Sequence, residues 1–259
     1  MKKILYIFAA VIAVAAASYL VFIPSVSNLK KENPKKTAMM ELREAEGKAK
    51  GRKVNIQQAW APLAAISPYL AKAVVIAEDD KFYEHEGFDF EAMKKAVEKD
   101  IQAGKFKAGG STISQQLAKN LYLSPAKSPL RKVKEAVITW KIERNLSKRR
   151  ILEIYLNVVE WGDGVFGAEA ASRLYFGKSA ADLTPMEACR LAVVLPSPRK
   201  LNPAGDQPYV ASRAEFVYSI MLRRGIIEPD YEEAVSPAEA AMPSDGVQPA
   251  PTKEGQGIL

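Results

Sequence analysis

Cysteine and histidine occur once each in this chain, as Cys189 and His85. A single thiol cannot close an internal disulfide, so the fold must hold by packing alone. One cysteine and one histidine also cannot supply the ligand set of a zinc site. Other absences narrow the field further. Gly177-Lys178-Ser179 resembles the end of a phosphate-binding P-loop, but the glycine required earlier in that loop is Ser172. Ser124 to Lys127 and Ser197 to Lys200 both read S-x-x-K, yet no S-D-N or K-T-G follows either, so an acyl-enzyme serine is not indicated. No internal repeat is visible, and no strand-like alternation persists. The aromatics fall at helical spacing and are not interleaved with arginines, which argues against a nucleic-acid reader.

One feature is present in excess. Ile4 to Ile23 is a run of twenty residues without a charge, preceded by Lys2 and Lys3. That is the length a helix needs to cross a bilayer, and it continues beyond the small residues at Ala15–Ser18 that a signal peptidase would require. The expectation is an uncleaved single-pass anchor over residues 1–23. The rest of the chain would then lie on the outer side of that membrane. The net charge of +7 is uneven: residues 226–259 carry seven acids against one lysine, which leaves +13 on residues 1–225. A basic body beside a membrane anchor calls for an anionic partner, such as a lipid head group or a phosphorylated lipid.

Residues 24–64 read as a lysine-rich linker or stalk. Residues 65–225 read as one helical domain, and 226–259 as an acidic, Pro-rich, disordered tail. Ser67-Pro68 starts a helix whose buried stripe is Leu70, Ala73, Val74 and Ala77 and which ends at Glu78. Asp89 starts a second helix through about Gln102. GKFKAGGS at 104–111 reads as a mobile cationic loop. Thr112 and Gln115 form a capping-box pair at the head of ISQQLAKNLYL. Ser128-Pro129 opens a helix with Leu130, Val133, Val137 and Trp140 on its apolar face, and Ser147 caps another with Ile151, Leu152, Tyr155 and Leu156. Two shorter helices follow near 167–176 and 184–194.

EDDKFYEHEG, residues 78–87, crowds five carboxylates, two aromatic rings and the one histidine into ten positions. Glu78 falls at a helix C-terminus, where the backbone dipole disfavours negative charge. Like-charge crowding and the neighbouring Phe82 and Tyr83 push in the same direction, toward a carboxylate able to take a proton from a hydroxyl. Asp80 and Glu84 read as solvated and His85 as a satisfied histidine. GGSTISQQLAKN (109–120) joins two glycines to a capped helix start, a cradle of free N–H groups suited to a phosphate, with Lys119, Lys127, Arg131 and Lys132 following. Taken alone, Glu135 and Glu153 read as i, i+4 partners of Arg131 and Arg149.

Taken in order, EDDKFYEHEGFD (78–89), GGSTISQQLAKN (109–120), RKVKEA (131–136) and RRILEIYLN (149–157) resemble the motif series of the family 51 glycosyltransferases, the peptidoglycan transglycosylases. EWGDGVFGAEAASRLYFGK (160–178) is similar to the single-domain, monofunctional members. The resemblance covers about residues 65–205. It implies a mainly α, lysozyme-like helical lobe with a smaller membrane-proximal lobe, and an enzyme that polymerises lipid II into β-1,4 glycan strands with inversion and release of undecaprenyl diphosphate. It assigns Glu78 as general base, Glu135 as the second catalytic carboxylate, and Lys119 and Lys127 to the diphosphate. Arg131, Lys132, Ser111, Thr112, Gln115, Gln116, Asn120, Glu153 and Asn157 fall in the same motifs as substrate-binding candidates. No cofactor is firmly implied; a magnesium or manganese ion at the diphosphate is compatible with the chemistry, and no protein metal cage is indicated. Expected partners are lipid II, the lipid-linked glycan chain, the membrane, and cell-wall synthesis or division proteins, with no nucleic acid. Two alternatives are a lysozyme-like enzyme that cuts the same polymer, which has no need of diphosphate-binding cations, and a non-catalytic membrane-anchored scaffold, which would not need Glu78.

Overall fold

The structure is a computed structural model that describes Tyr6 and residues 23–104, 109–123 and 128–228. The apolar run apart from Tyr6 and Ile23, the centre of the cationic loop, Lys127 and the tail beyond 228 lie outside the described residues. Among the described residues no helix is long and apolar enough to cross a membrane.

The fold is mainly helical. In chain order it contains α1 (Ala38–Ala49), β1 (Gln57–Gln58), α2 (Pro68–Glu78), α3 (Phe90–Ala103), α4 (Ile113–Tyr122), α5 (Pro129–Asn145), α6 (Lys148–Val158), β2 (Glu160–Gly162), β3 (Val165–Phe166), α7 (Ala168–Phe176), α8 (Pro185–Ala192) and α9 (Pro208–Arg223). The capping chemistry reads as the sequence predicts at most helix starts. Asp89, Ser128 and Ser147 each accept from a backbone N–H in the first turn, and Thr112 and Gln115 close a full capping box. Ser67 is the exception. Its hydroxyl donates to Leu183 O at 3.1 Å and caps nothing, so α2 starts on Pro68 alone.

Helix α6 is the centre of the core. Seven of its residues, Ile151, Leu152 and Ile154 to Val158, are buried, and it packs against α4, α5 and α7. A second layer is made by α2 against α8 and α9. Complete burial of Trp161, Phe166 and Phe82 fills the space around these helices, each large apolar side chain contributing about 1.5–3 kcal/mol. The three short strands form one sheet in the order β1-β3-β2, with β1 parallel and β2 antiparallel to β3. Strands of two and three residues are too short to display the period of two, so no alternation marks them in the sequence. Gly164 makes the β2–β3 turn at φ 76°, and a Cβ there would stand 3.0 Å from Asn55 O. Glycine is the residue that permits both the turn and the approach of β1.

The structure corrects two expectations. Residues 24–64 are not a stalk. Val26, Leu29 and Ala61 belong to the hydrophobic core and Met40 is buried. Arg43 on α1 donates from Nε and Nη2 to the carboxylate of Glu160 at 2.7–3.0 Å, and Arg150 reaches Leu29 O at 2.8 Å and Asn33 Oδ1 at 2.8 Å. The connector lacks a long apolar stripe because a few anchors and two arginine forks hold it. The second correction concerns α5. Leu130, Val133 and Trp140 are about half exposed, whereas Glu135, Ile138, Thr139 and Ile142 face inward. Of the expected stripe only Val137 is half-buried, and Ile138 and Ile142 make the inward apolar contact instead.

Because Glu160 is 5% exposed, loss of its guanidinium partner strands a buried charge. Arg43→Ala is expected to cost about 3 kcal/mol in urea unfolding, and Arg43→Met combined with Glu160→Met to recover most of it. A true stalk would show neither effect.

Candidate active site

Helix α2 delivers Glu78 to the site. Leu70, Ala73, Val74 and Val75 bury its inner face, Ala77 being only half-buried, and the helix ends at Glu78. The three consecutive acids then separate by partner. Glu78 Oε2 accepts from the Gln116 side-chain amide at 2.7 Å. Asp79, 7% exposed, accepts from Ile113 N at 2.9 Å through Oδ2 and lies 2.9 Å from His85 Nε2 through Oδ1. Gly87 N donates to His85 Nδ1 at 3.1 Å, so the imidazole is satisfied on both nitrogens, with Nε2 as the donor to Asp79. Exposed Asp80 takes both guanidinium nitrogens of Arg224, at 2.6 and 2.8 Å.

Burial lifts the Glu78 carboxyl above the ordinary carboxylate range. The Gln116 hydrogen bond and the charges of Lys119 and Arg213 pull it back, and Asp79 adds a last, smaller push upward. Crowding of like charge is therefore the minor cause, and desolvation the main one. Among the described residues nothing hydrogen-bonds Glu78 Oε1, which leaves one oxygen for a substrate hydroxyl. The residue lines a cleft of about 810 Å³ between the end of α2, helix α3 and the 109–112 segment, with Lys95, Lys99, Ser111 and Thr112 on its walls.

Gln116 is held in turn. Tyr155 on α6, wholly buried, donates its hydroxyl to Gln116 Oε1 at 2.9 Å. One turn along α4 stands Lys119, half-buried, whose ammonium is pushed below its usual range by burial, with Arg131 and Lys132 acting in the same sense and Glu135 and Glu78 opposing. Lys119 thus feels both carboxylates. Glu135, 3% exposed, accepts from Arg131 Nη1 at 2.9 Å and Lys132 Nζ at 2.5 Å. Among the described residues Arg131 Nε is buried without a hydrogen-bond partner, an orphan donor suited to an anionic oxygen.

The sequence candidates divide accordingly. Glu78, Gln116, Lys119, Arg131, Lys132 and Glu135 form one electrostatic unit, Ser111 and Thr112 line the cleft, and Asn120 is buried on α4. Gln115 is consumed by the cap. Three N–H groups of the expected cradle are taken within the fold: Thr112 N donates to Gln115 Oε1, Ile113 N to Asp79, and Gln115 N to Thr112 Oγ1. Glu153 and Asn157 serve elsewhere. Glu153 accepts from Leu63 N at 3.0 Å and pairs with Arg150, not Arg149. Asn157, wholly buried, clamps the chain through Ala61 N and Ala61 O at 2.8 Å each. Lys127 lies outside the described residues.

Three contributors escaped the sequence reading: Asp79 as the tie to α4, Tyr155, which had been counted as a core-stripe residue, and Arg213. Tyr155 at least sits inside the RRILEIYLN stretch. Arg213 on α9 has no local signal at all. Metal ligation has no support from side chains, since no group of three or more His, Cys, Asp or Glu is arranged to hold an ion among the described residues.

A largely desolvated carboxylate beside a cation cluster is an arrangement able to take up a proton and to meet an anionic group. The sequence pattern described as Transglycosylase matches residues 46–222. The chain belongs to the transglycosylase family. Among curated proteins it is 54% identical over 190 residues to a biosynthetic peptidoglycan transglycosylase of Aromatoleum aromaticum, covering 73% of this chain and 82% of that one. It is 48% identical over 194 residues to the protein of that name from Nitrosospira multiformis, covering 75% and 84%. Over 245 residues it is 42% identical to the one from Alcanivorax borkumensis, covering 95% and 97%.

The raised proton affinity of Glu78 fixes the sign of its effect on stability. The folded state binds more protons than the unfolded chain between the ordinary carboxylate value of 4.5 and the raised one, so stability falls as pH rises through that window. Glu78→Gln removes this cost and keeps an acceptor for Gln116. Calorimetry is expected to show a higher Tm than wild type at pH 7, the gain vanishing below about pH 4.

Proposed function

We propose that this transglycosylase is a peptidoglycan glycosyltransferase that polymerises lipid II. The observation carrying the proposal is the pairing of a desolvated carboxylate having one free oxygen, Glu78, with the Lys119, Arg131, Lys132 and Glu135 cluster. Glu78 Oε1 takes the proton from the 4-hydroxyl of N-acetylglucosamine on the incoming lipid II. That oxygen forms a bond to the anomeric carbon of the growing chain's terminal N-acetylmuramic acid as the bond to the diphosphate breaks on the opposite face. The α-linked donor becomes a β-1,4 link, and undecaprenyl diphosphate leaves. Lys119 supplies the principal positive charge for it, with Lys127 assigned the same role by motif. Glu135 holds Arg131 and Lys132 in place, and the unpartnered Arg131 Nε adds a donor.

A magnesium or manganese ion, on this reading, would arrive with the diphosphate, because Glu135 already carries two cations and the free oxygen of Glu78 is kept for the substrate hydroxyl. No step depends on it. The finer architecture belongs to the proposal too: a lysozyme-like lobe, a smaller membrane-proximal lobe, and a single-pass anchor over residues 1–23. The anchor would hold the domain on the periplasmic side of the inner membrane, within reach of cell-wall synthesis or division proteins. Membrane contact is supported by helices whose apolar side chains are left in the open, Phe90, Val97 and Ile101 on α3 and Leu130, Val133 and Trp140 on α5, with lysines beside them.

Detergent-solubilised wild type is expected to convert fluorescent lipid II to polymer resolved on a gel. Glu78→Gln should lower the rate by about 10²–10⁴-fold. Absence of polymer from folded wild type, with shortening of preformed strands, would overturn the synthetic direction. In proteoliposomes, brominated lipid should quench Trp140 and spare the buried Trp161; equal protection of both would remove the membrane contact at α5.

A further inference from the structure

We infer that Tyr155 is a positioning residue for Glu78: its buried hydroxyl orients the Gln116 amide so that the NH₂ end faces the carboxylate. This rests on Glu78 being the base of the proposed reaction, though its first test does not. The geometry is a short relay across three helices, from Tyr155 on α6 to Gln116 on α4 at 2.9 Å and from Gln116 to Glu78 on α2 at 2.7 Å.

A primary amide has a donor end and an acceptor end, and a half-turn exchanges them. With NH₂ toward Glu78, the amide supports the ionised carboxylate. Once Glu78 is protonated, a flipped amide would serve it equally well, accepting from the acid and turning NH₂ toward Tyr155. The Tyr155 hydroxyl opposes that flip. It is wholly buried, and Gln116 Oε1 is its only hydrogen-bond acceptor among the described residues. A flipped amide would leave the phenol proton without an acceptor in a dry site. Burial and the nearby Glu78 and Asp79 also push the Tyr155 phenol well above its usual range, so it stays a donor at any working pH.

Tyr155 therefore penalises the protonated state of Glu78 and keeps the base available. The charged groups facing Glu78 are Lys119 on α4, Arg213 on α9 and the adjoining Asp79, all unchanged by loss of the hydroxyl. Tyr155→Phe removes one oxygen and nothing else from the core.

The test is a titration by carbon NMR of the full chain in detergent, labelled at glutamate Cδ and tyrosine Cζ, the Glu78 signal identified by its loss in Glu78→Gln. Tyr155→Phe is expected to raise the Glu78 midpoint by roughly half to one pH unit, and Gln116→Met by at least as much. In wild type the Tyr155 Cζ signal should titrate with the Glu78 midpoint, and Gln116→Met should reduce that response to the part carried directly by the charge of Glu78. A midpoint unmoved in folded Tyr155→Phe overturns the inference, as does a Tyr155 signal that ignores Glu78 in wild type; the latter needs no variant to fold. The acidic limb of kcat/KM for polymerisation should move upward with the midpoint, with KM little changed. If the midpoint moves but wild type makes no polymer, the relay stands and the proposed function falls.

Discussion

Everything at this site depends on the desolvation of one carboxylate. Glu78 stands at the end of a helix whose inner face is packed into the core, and burial is the largest influence on its proton affinity. The surroundings are built to tolerate that charge without neutralising it: one amide hydrogen bond, and two cations acting at a distance. A closer ion pair would have made Glu78 a spectator. Its neighbours Asp79 and Asp80 are paired outright, one to a helix N-terminus and a histidine, the other to an arginine. The three acids are adjacent in sequence and opposite in fate because α2 ends between the first and second of them.

The second carboxylate shows the complementary arrangement. Glu135 is buried more deeply than Glu78, and it carries two cations in direct contact. A buried charge without partners would be prohibitive, so Arg131 and Lys132 stabilise it and are themselves fixed by it. The cluster can then meet an anionic leaving group without reorganising, which is the physical content of electrostatic preorganisation.

Several features were legible in the residues alone. Helix starts follow Asp89, Thr112, Ser128 and Ser147 because a side-chain oxygen two or three residues from a free N–H is a local event. The Arg131–Glu135 pair follows from i, i+4 spacing on one helix. The motif series carried Glu78, Lys119 and Glu135 as candidates. Other inferences failed for an equally physical reason. The stripe Leu130, Val133, Val137 and Trp140 is legible as the apolar face of its helix, yet three of the four are exposed: an apolar stripe states that a face avoids water and not which neighbour covers it. The linker looked polar because its few anchors are spread along the chain.

What the sequence by itself determined, then, is local: where helices begin, which residue types crowd together, and that the body is cationic. Each follows from interactions within a turn or two of chain. Only the tertiary structure decided which of three acids is the unpaired one, that Gln116 and Tyr155 lie against it, that Arg213 reaches it from the last helix, and that Asn157 is a clamp on residue 61. Those pairings join residues far apart in the chain, and burial, which sets the chemistry of Glu78, is a property of the whole packing and of no single stretch.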